Sequence, residues 1–259
     1  MEIARLVETL DREGTRLGDA AERAGWRARV PSCPDWTVHD LVTHVGRVHR
    51  WATGFVARAQ TAPHRAPEDP ELTGPALLAW YRTGHAALVA ALRAAPEDLE
   101  SWTFFAAPTP LAFWARRQAH ETTVHRVDAE LALDGGLSII DTDFAADGIA
   151  ELLTGFHGQG RSRVRATRPG VLRLLGTDTG ERWTLRLSED PLTVERDEPT
   201  PGRRTPADAG ERLGPAECAW IGATADLYLT LWNRPPSGVV RTVGDASLAE
   251  LWRATSAIS

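Results

Sequence analysis

Hydrophobic periodicity changes once along this chain, at Asp134-Gly135-Gly136, and that change limits what the chain can fold into. Before it, apolar residues recur every three or four positions, the period of helices that bury one face. The stretch from about Glu2 to Ala24 carries Ile3, Leu6, Val7, Leu10 and Leu17 on one stripe. A Pro-rich turn, Val30-Pro31-Ser32-Cys33-Pro34-Asp35-Trp36, ends it. Thr37 then caps a second helix that runs to about Gln60, with Asp40 placed to complete a capping box. A third helix spans about Gly74 to Ala94 and a fourth about Pro110 to Leu133, stopped by the Asp-Gly-Gly run. Four long helices with modest loops predict a four-helix bundle over residues 1–138.

Beyond the break the texture is mixed, and residues 139–259 read as a smaller α+β domain. A short helix is expected from about Phe144 to Phe156. Val171 to Leu175 and Arg182 to Leu187, joined by Gly176-Thr177-Asp178-Thr179-Gly180, read as a hairpin. In its second run Trp183, Leu185 and Leu187 alternate with Arg182, Thr184 and Arg186, the period of a strand with one wet face. A third strand is expected near Leu192 to Arg196, and the charged, Pro-rich stretch Asp197 to Gly210 reads as a loop or the rim of a site. A strand at Glu217 to Ile221, a helix at Ala223 to Trp232, a strand at Val239 to Val243 and a helix at Ser247 to Ala254 complete the pattern. There is no internal repeat. Gly155 to Gly160 lacks the preceding strand that a phosphate loop needs.

Composition narrows the partners. The chain has 29 basic and 35 acidic residues with no basic tract, which argues against nucleic acid. All the basic residues are arginine, a bias that fits a high-GC coding genome. No apolar run approaches the ~20 residues of a membrane span, and Met1-Glu2-Ile3-Ala4-Arg5 lacks the apolar core of a signal peptide. A cytoplasmic protein is expected, with the oligomeric state open and a monomer sufficient. Cys33 and Cys218 lie far apart without a Cys-x-x-Cys spacing, so neither a disulfide framework nor a zinc ribbon is indicated. Cys33 sits just before a helix but has no visible base beside it.

The clearest chemical signal is Glu121 and His125, four residues apart in the fourth helix. Residues at i and i+4 share a face, and a carboxylate with an imidazole is a usual ligand pair for zinc or a similar divalent ion. His120-Glu121 opens like the metalloprotease pattern His-Glu-x-x-His, but the second histidine position is Val124. His120 and His125 stand about 140° apart around a helix and cannot share an ion. A third ligand is expected from His44, whose helical neighbours Leu41, Val48, Trp51 and Phe55 aim it inward, while His39 and His49 point elsewhere. Alone, such a histidine reads as a hydrogen-bonded core residue; beside the Glu121/His125 pair it reads as a ligand. Asp128, three residues past His125, reads either as the group that orients an imidazole or as a solvated helix charge. Gln118 and Trp114 continue the same helix face, and Trp102, Trp114, Trp183 and Trp220 suggest an aromatic wall. The bundle shows no cation suited to hold a substrate carboxylate.

Three stretches carry a resemblance: Pro31-Ser32-Cys33-Pro34-Asp35-Trp36-Thr37-Val38-His39-Asp40-Leu41-Val42-Thr43-His44-Val45; Arg117-Gln118-Ala119-His120-Glu121 with His125-Arg126-Val127-Asp128; and Asp226-Leu227-Tyr228-Leu229-Thr230-Leu231-Trp232-Asn233-Arg234 with Val243-Gly244-Asp245. Together they resemble the mycothiol-dependent maleylpyruvate isomerase family over nearly the whole chain. The resemblance implies a DinB-like four-helix bundle that holds zinc through His44, Glu121 and His125. It also implies a sterol-carrier-like α+β domain that closes the site. Arg234 matches the catalytic arginine of the family's Leu-Trp-Gly-Arg motif, with Asn233 standing where the family has glycine. The implied cofactor is mycothiol, a thiol of actinobacteria. The expected function is a zinc-dependent enzyme that activates this thiol for addition to an electrophilic small molecule, by cis-trans isomerisation or S-transfer. Two alternatives stay open: a metal-dependent hydrolase using zinc-bound water, and a non-catalytic ligand-binding or regulatory protein.

Overall fold

In the computed structural model, which describes residues 1–133, 135–197 and 213–258, the chain divides into two compact units, Met1–Ser138 and Ile139–Ser259. The class is α+β. Four helices make up most of the first unit: α1 (Ile3–Ala24), α2 (Val38–Ala57), α3 (Gly74–Ala94) and α4 (Pro110–Leu131). Two of them, α2 and α4, begin at side-chain caps. At α2, Thr37 Oγ1 accepts from the Asp40 amide at 3.4 Å while Asp40 Oδ2 accepts from the Thr37 amide at 2.8 Å, a full capping box. At α4, Thr109 Oγ1 accepts from the Ala112 amide at 3.1 Å and Pro110 occupies the first turn, where its missing N–H costs nothing.

α1 packs on α4 and α3, and α2 packs on α3 and α4. α1 contributes the buried stripe Leu6, Val7, Leu10 and Leu17 read from its periodicity. α4 is different, because nearly all its residues from Leu111 to Glu130 are buried, charged and polar ones included. Buried charges need partners. Arg126 donates to Glu13 Oε2 at 2.7 Å and to Glu130 Oε2 at 2.5 Å, linking α1 to α4. Where α2 meets α3, Gly46 lets the helices close: a Cβ there would lie 2.2 Å from the Trp80 ring.

The stretch expected to be a Pro-rich turn is instead a short antiparallel hairpin, β1 (Arg29–Val30) with β2 (Cys33–Thr37). Its strands are too short to show an alternation in sequence. Trp51, Phe55, Trp102 and Trp114 form an aromatic core within the bundle, with Phe55 stacked on Trp114 at 4.7 Å.

In the second unit, α5 (Thr142–Ala150) passes into a π-helical turn at Glu151–Phe156, so the helix expected through Phe156 changes its hydrogen bonding midway. Among the described residues, β3 (Gly170–Gly176), β4 (Arg182–Leu187), β5 (Thr193–Asp197), β6 (Glu217–Gly222) and β7 (Arg241–Gly244) form a sheet in the order β5-β4-β3-β6-β7. All neighbours are antiparallel except β3 and β6. In β4 the residues Trp183, Leu185 and Leu187 are buried as their alternation predicts. α6 (Thr224–Leu231) and α7 (Ala246–Thr255) follow β6 and β7 and pack onto β3 and β6. Asp134, expected to help stop α4, and the expected loop or rim at 198–210 lie outside the described residues.

α6 ends in a Schellman motif. The Arg234 amide donates to the Leu229 carbonyl at 2.8 Å and the Asn233 amide to the Thr230 carbonyl at 3.0 Å. Asn233 takes the left-handed conformation (φ 58°) that such a cap needs. Asparagine tolerates this region best after glycine, and its side chain donates to Ser256 Oγ at 3.1 Å. Asn233 therefore keeps the turn that a glycine would make.

Candidate metal centre

α2 and α4 bring His44, Glu121 and His125 together. Among the described residues they are the cluster whose ligand atoms meet, all within 4.8 Å of one another. Glu121 Oε1 lies 3.3 Å from His44 Nε2 and 3.3 Å from His125 Nε2. For a tetrahedral zinc with ligands at about 2.0–2.2 Å, neighbouring ligand atoms are separated by roughly 3.3–3.5 Å. Two edges of such a tetrahedron are thus already set, and the three residues fit a divalent ion.

Two of the three ligands are held from behind. His125 Nδ1 donates to Asp128 Oδ2 at 2.8 Å, which aims Nε2 at Glu121. Asp128 is fully buried and also accepts from Ser32 Oγ at 2.5 Å, with Cys33 Sγ 4.0 Å from its other oxygen. Ser32 and Cys33 belong to the β1–β2 hairpin, whose Trp36 ring lies 4.9 Å from His44 and 5.9 Å from His125. Of the two readings of Asp128 the structure selects the orienting one. Glu121 Oε2 contacts the buried Arg117 Nη2 at 3.3 Å.

These contacts set the charges. Burial alone would lower the His125 pKa, but the hydrogen bonds and charges of Asp128 and Glu121 outweigh it and raise the imidazole to about 9. Burial would raise Glu121, yet hydrogen bonds from His125 and His44 and the Arg117 charge hold it well below the carboxylate range. Without a metal the triad is therefore an imidazolium–carboxylate pair. With one, a proton must leave His125.

Two sequence expectations change here. His44 is not inward: its side chain is 37% exposed and stands at the mouth of the cluster. His49, expected to point away, is the fully buried histidine of α2. It meets Thr122 Oγ1 at 2.9 Å, and burial followed by the nearby His85 charge pushes its pKa well down. The helix's apolar stripe tracks the core of the bundle, and His44 lies at the edge of that stripe where α4 approaches. Second, the aromatic wall belongs to Trp36. Trp114 and Trp102 serve the bundle core, and Trp183 and Trp220 are buried in the second unit. The sequence reading also passed over Arg117, buried against Glu121, which its i,i+4 spacing from that residue could have flagged.

Arg234 lies in the second unit. It lines a hollow of about 430 Å³ with Trp220, Thr230, Asn233 and Arg253 among its walls. Its guanidinium Nη1 donates to the Trp232 carbonyl at 2.8 Å, so the end of α6 fixes both its backbone and its side chain.

A helical bundle whose His, Glu and His side chains could hold a divalent ion, followed by an α+β unit, defines the class of protein. Residues 7–130, most of the helical unit, match the family model of the mycothiol maleylpyruvate isomerase N-terminal domain. Two crystal structures of the mycothiol-dependent maleylpyruvate isomerase, one of them a histidine-to-alanine mutant, share the fold over 93% of each chain at a TM-score of 0.62. Sequence identity is 15% to the mutant and 16% to the other. A comparison with curated proteins finds no match.

Proposed function

We propose that the chain is a zinc-dependent, thiol-using enzyme that activates mycothiol for addition to an electrophilic small molecule, by cis-trans isomerisation or S-transfer. The observation that carries this reading is the triangle of His44, Glu121 and His125, with two edges of 3.3 Å that suit tetrahedral zinc. Three protein ligands leave a fourth position open, as in catalytic rather than structural sites. A divalent ion bound there would stabilise thiolate over thiol.

The protein's own residues then have defined tasks. Asp128 keeps the His125 proton on Nδ1, so Nε2 stays available as a ligand. Trp36 beside both histidines shields the reacting sulfur from water on one side. In the isomerase reading the thiolate sulfur bonds to one carbon of a conjugated cis double bond, and the π electrons move to the conjugated carbonyl oxygen. Rotation about the new single bond and expulsion of the same thiolate give the trans product. In S-transfer the carbon–sulfur bond is kept and a proton is added. Both routes build negative charge on the substrate, and we assign Arg234 to pair with it. Such thiol chemistry belongs in a reducing cytoplasm.

The test is elemental analysis with an activity screen run with and without mycothiol. About one zinc per chain is expected, lost in His44→Ala and His125→Ala. Arg234→Ala should keep the metal and lose activity by about thirtyfold to several thousandfold, the cost of a missing bidentate charge partner. Full turnover without any low-molecular-weight thiol would overturn the proposal in favour of a hydrolase.

A further inference from the structure

The two oxygens of Glu121 have different partners. Oε1 faces both histidine Nε2 atoms at 3.3 Å, whereas Oε2 is turned to Arg117 Nη2 at 3.3 Å. The Arg117 side chain is only 3% exposed. Arginine preceding glutamate by four residues is the weaker order for a helical ion pair, and a buried pair adds little to stability once desolvation is counted. The contact does, however, fix which oxygen of Glu121 faces the histidines.

We propose that Arg117 is a positioning residue that commits Glu121 to bind a metal through Oε1 alone. A carboxylate can hold a metal through one oxygen or through both, and the second mode takes up a further coordination position. By keeping Oε2, Arg117 reserves that position for the thiol. It also withdraws charge from the carboxylate, which leaves the cation a stronger acid toward an incoming sulfur. This inference rests on the metal reading of the triad.

Cobalt(II) in place of zinc reports both effects. Its visible bands are intense in four-coordinate sites and weak at higher coordination, and a bound thiolate adds a charge-transfer band in the near ultraviolet. The parent chain should show the intense bands and bind 2-mercaptoethanol. Arg117→Met should still bind cobalt, with bands severalfold weaker and thiol affinity reduced on the order of tenfold to a hundredfold. Arg117→Lys, which keeps a charged donor, should return most of both signals. A Met variant with the parent's spectrum and thiol affinity overturns the inference. Should that variant not fold, the parent decides, since weak, high-coordination bands there overturn it equally. A parent that binds no cobalt instead removes the metal reading itself.

Discussion

Replacing Asp128 by alanine isolates what orientation contributes at the triad. Asp128 is fully buried and accepts from His125 Nδ1 at 2.8 Å and from Ser32 Oγ at 2.5 Å. In the metal-free chain His125 is raised from 6.5 to about 9, a gain worth roughly 3 kcal/mol. Asp128 and Glu121 share that gain, and a hydrogen bond to a charged group is worth about 1.5–3 kcal/mol. Asp128→Ala should therefore destabilise the metal-free protein by about 2 kcal/mol and bring the His125 titration down toward 6.5. The sign follows from linkage. A histidine raised in the folded state stabilises fully below its unfolded pKa, and the effect fades as pH rises through about 9. The difference between parent and variant should thus be greatest below pH 6.5 and shrink above pH 9, where only the bonds to the neutral imidazole and to Ser32 remain. The assay is an imidazole NMR titration beside thermal unfolding. Metal affinity is best compared above pH 9, where His125 is already neutral; there the variant should bind about tenfold to a hundredfold more weakly. Ser32→Ala, which leaves the His125 contact intact, is the control and should cost under ~1 kcal/mol. If Asp128→Ala leaves both the titration and the affinity unchanged, Asp128 does not orient His125.

Two further outcomes concern the second unit. His157 is buried, and burial pushes its pKa from 6.5 down to about 4; because the unfolded chain takes up the proton first, stability should fall by about 3 kcal/mol as pH drops from 6.5 to 4, and His157→Phe should flatten that slope in thermal unfolding. At the α6 cap, Asn233→Gly should be neutral or slightly stabilising while Asn233→Ala should cost about 1–2 kcal/mol, because only the φ of 58° separates them; equal unfolding midpoints for the two would refute the strained-cap argument.

Short-range periodicity and local hydrogen bonding made the helices, the α2 cap and most of the strands legible in the sequence. Thr37 with Asp40 announced α2, and Trp183, Leu185 and Leu187 announced the buried face of β4. The sequence also determined the Glu121/His125 pair, since helix geometry alone fixes an i,i+4 spacing. What it left open depended on neighbours distant in the chain. The aim of His44 and His49 is set by where α4 crosses α2, so a stripe counted on α2 alone misjudged both. The β1–β2 hairpin is too short to register as strands, yet it delivers Ser32 and Trp36 to residues about ninety positions away. α4 hid its role for the opposite reason. Buried on nearly every side, it shows no stripe, and only the tertiary structure supplies the partners that let Arg117, Arg126 and Asp128 lie inside. A buried charge is tolerated only where its counter-charge has been brought to it.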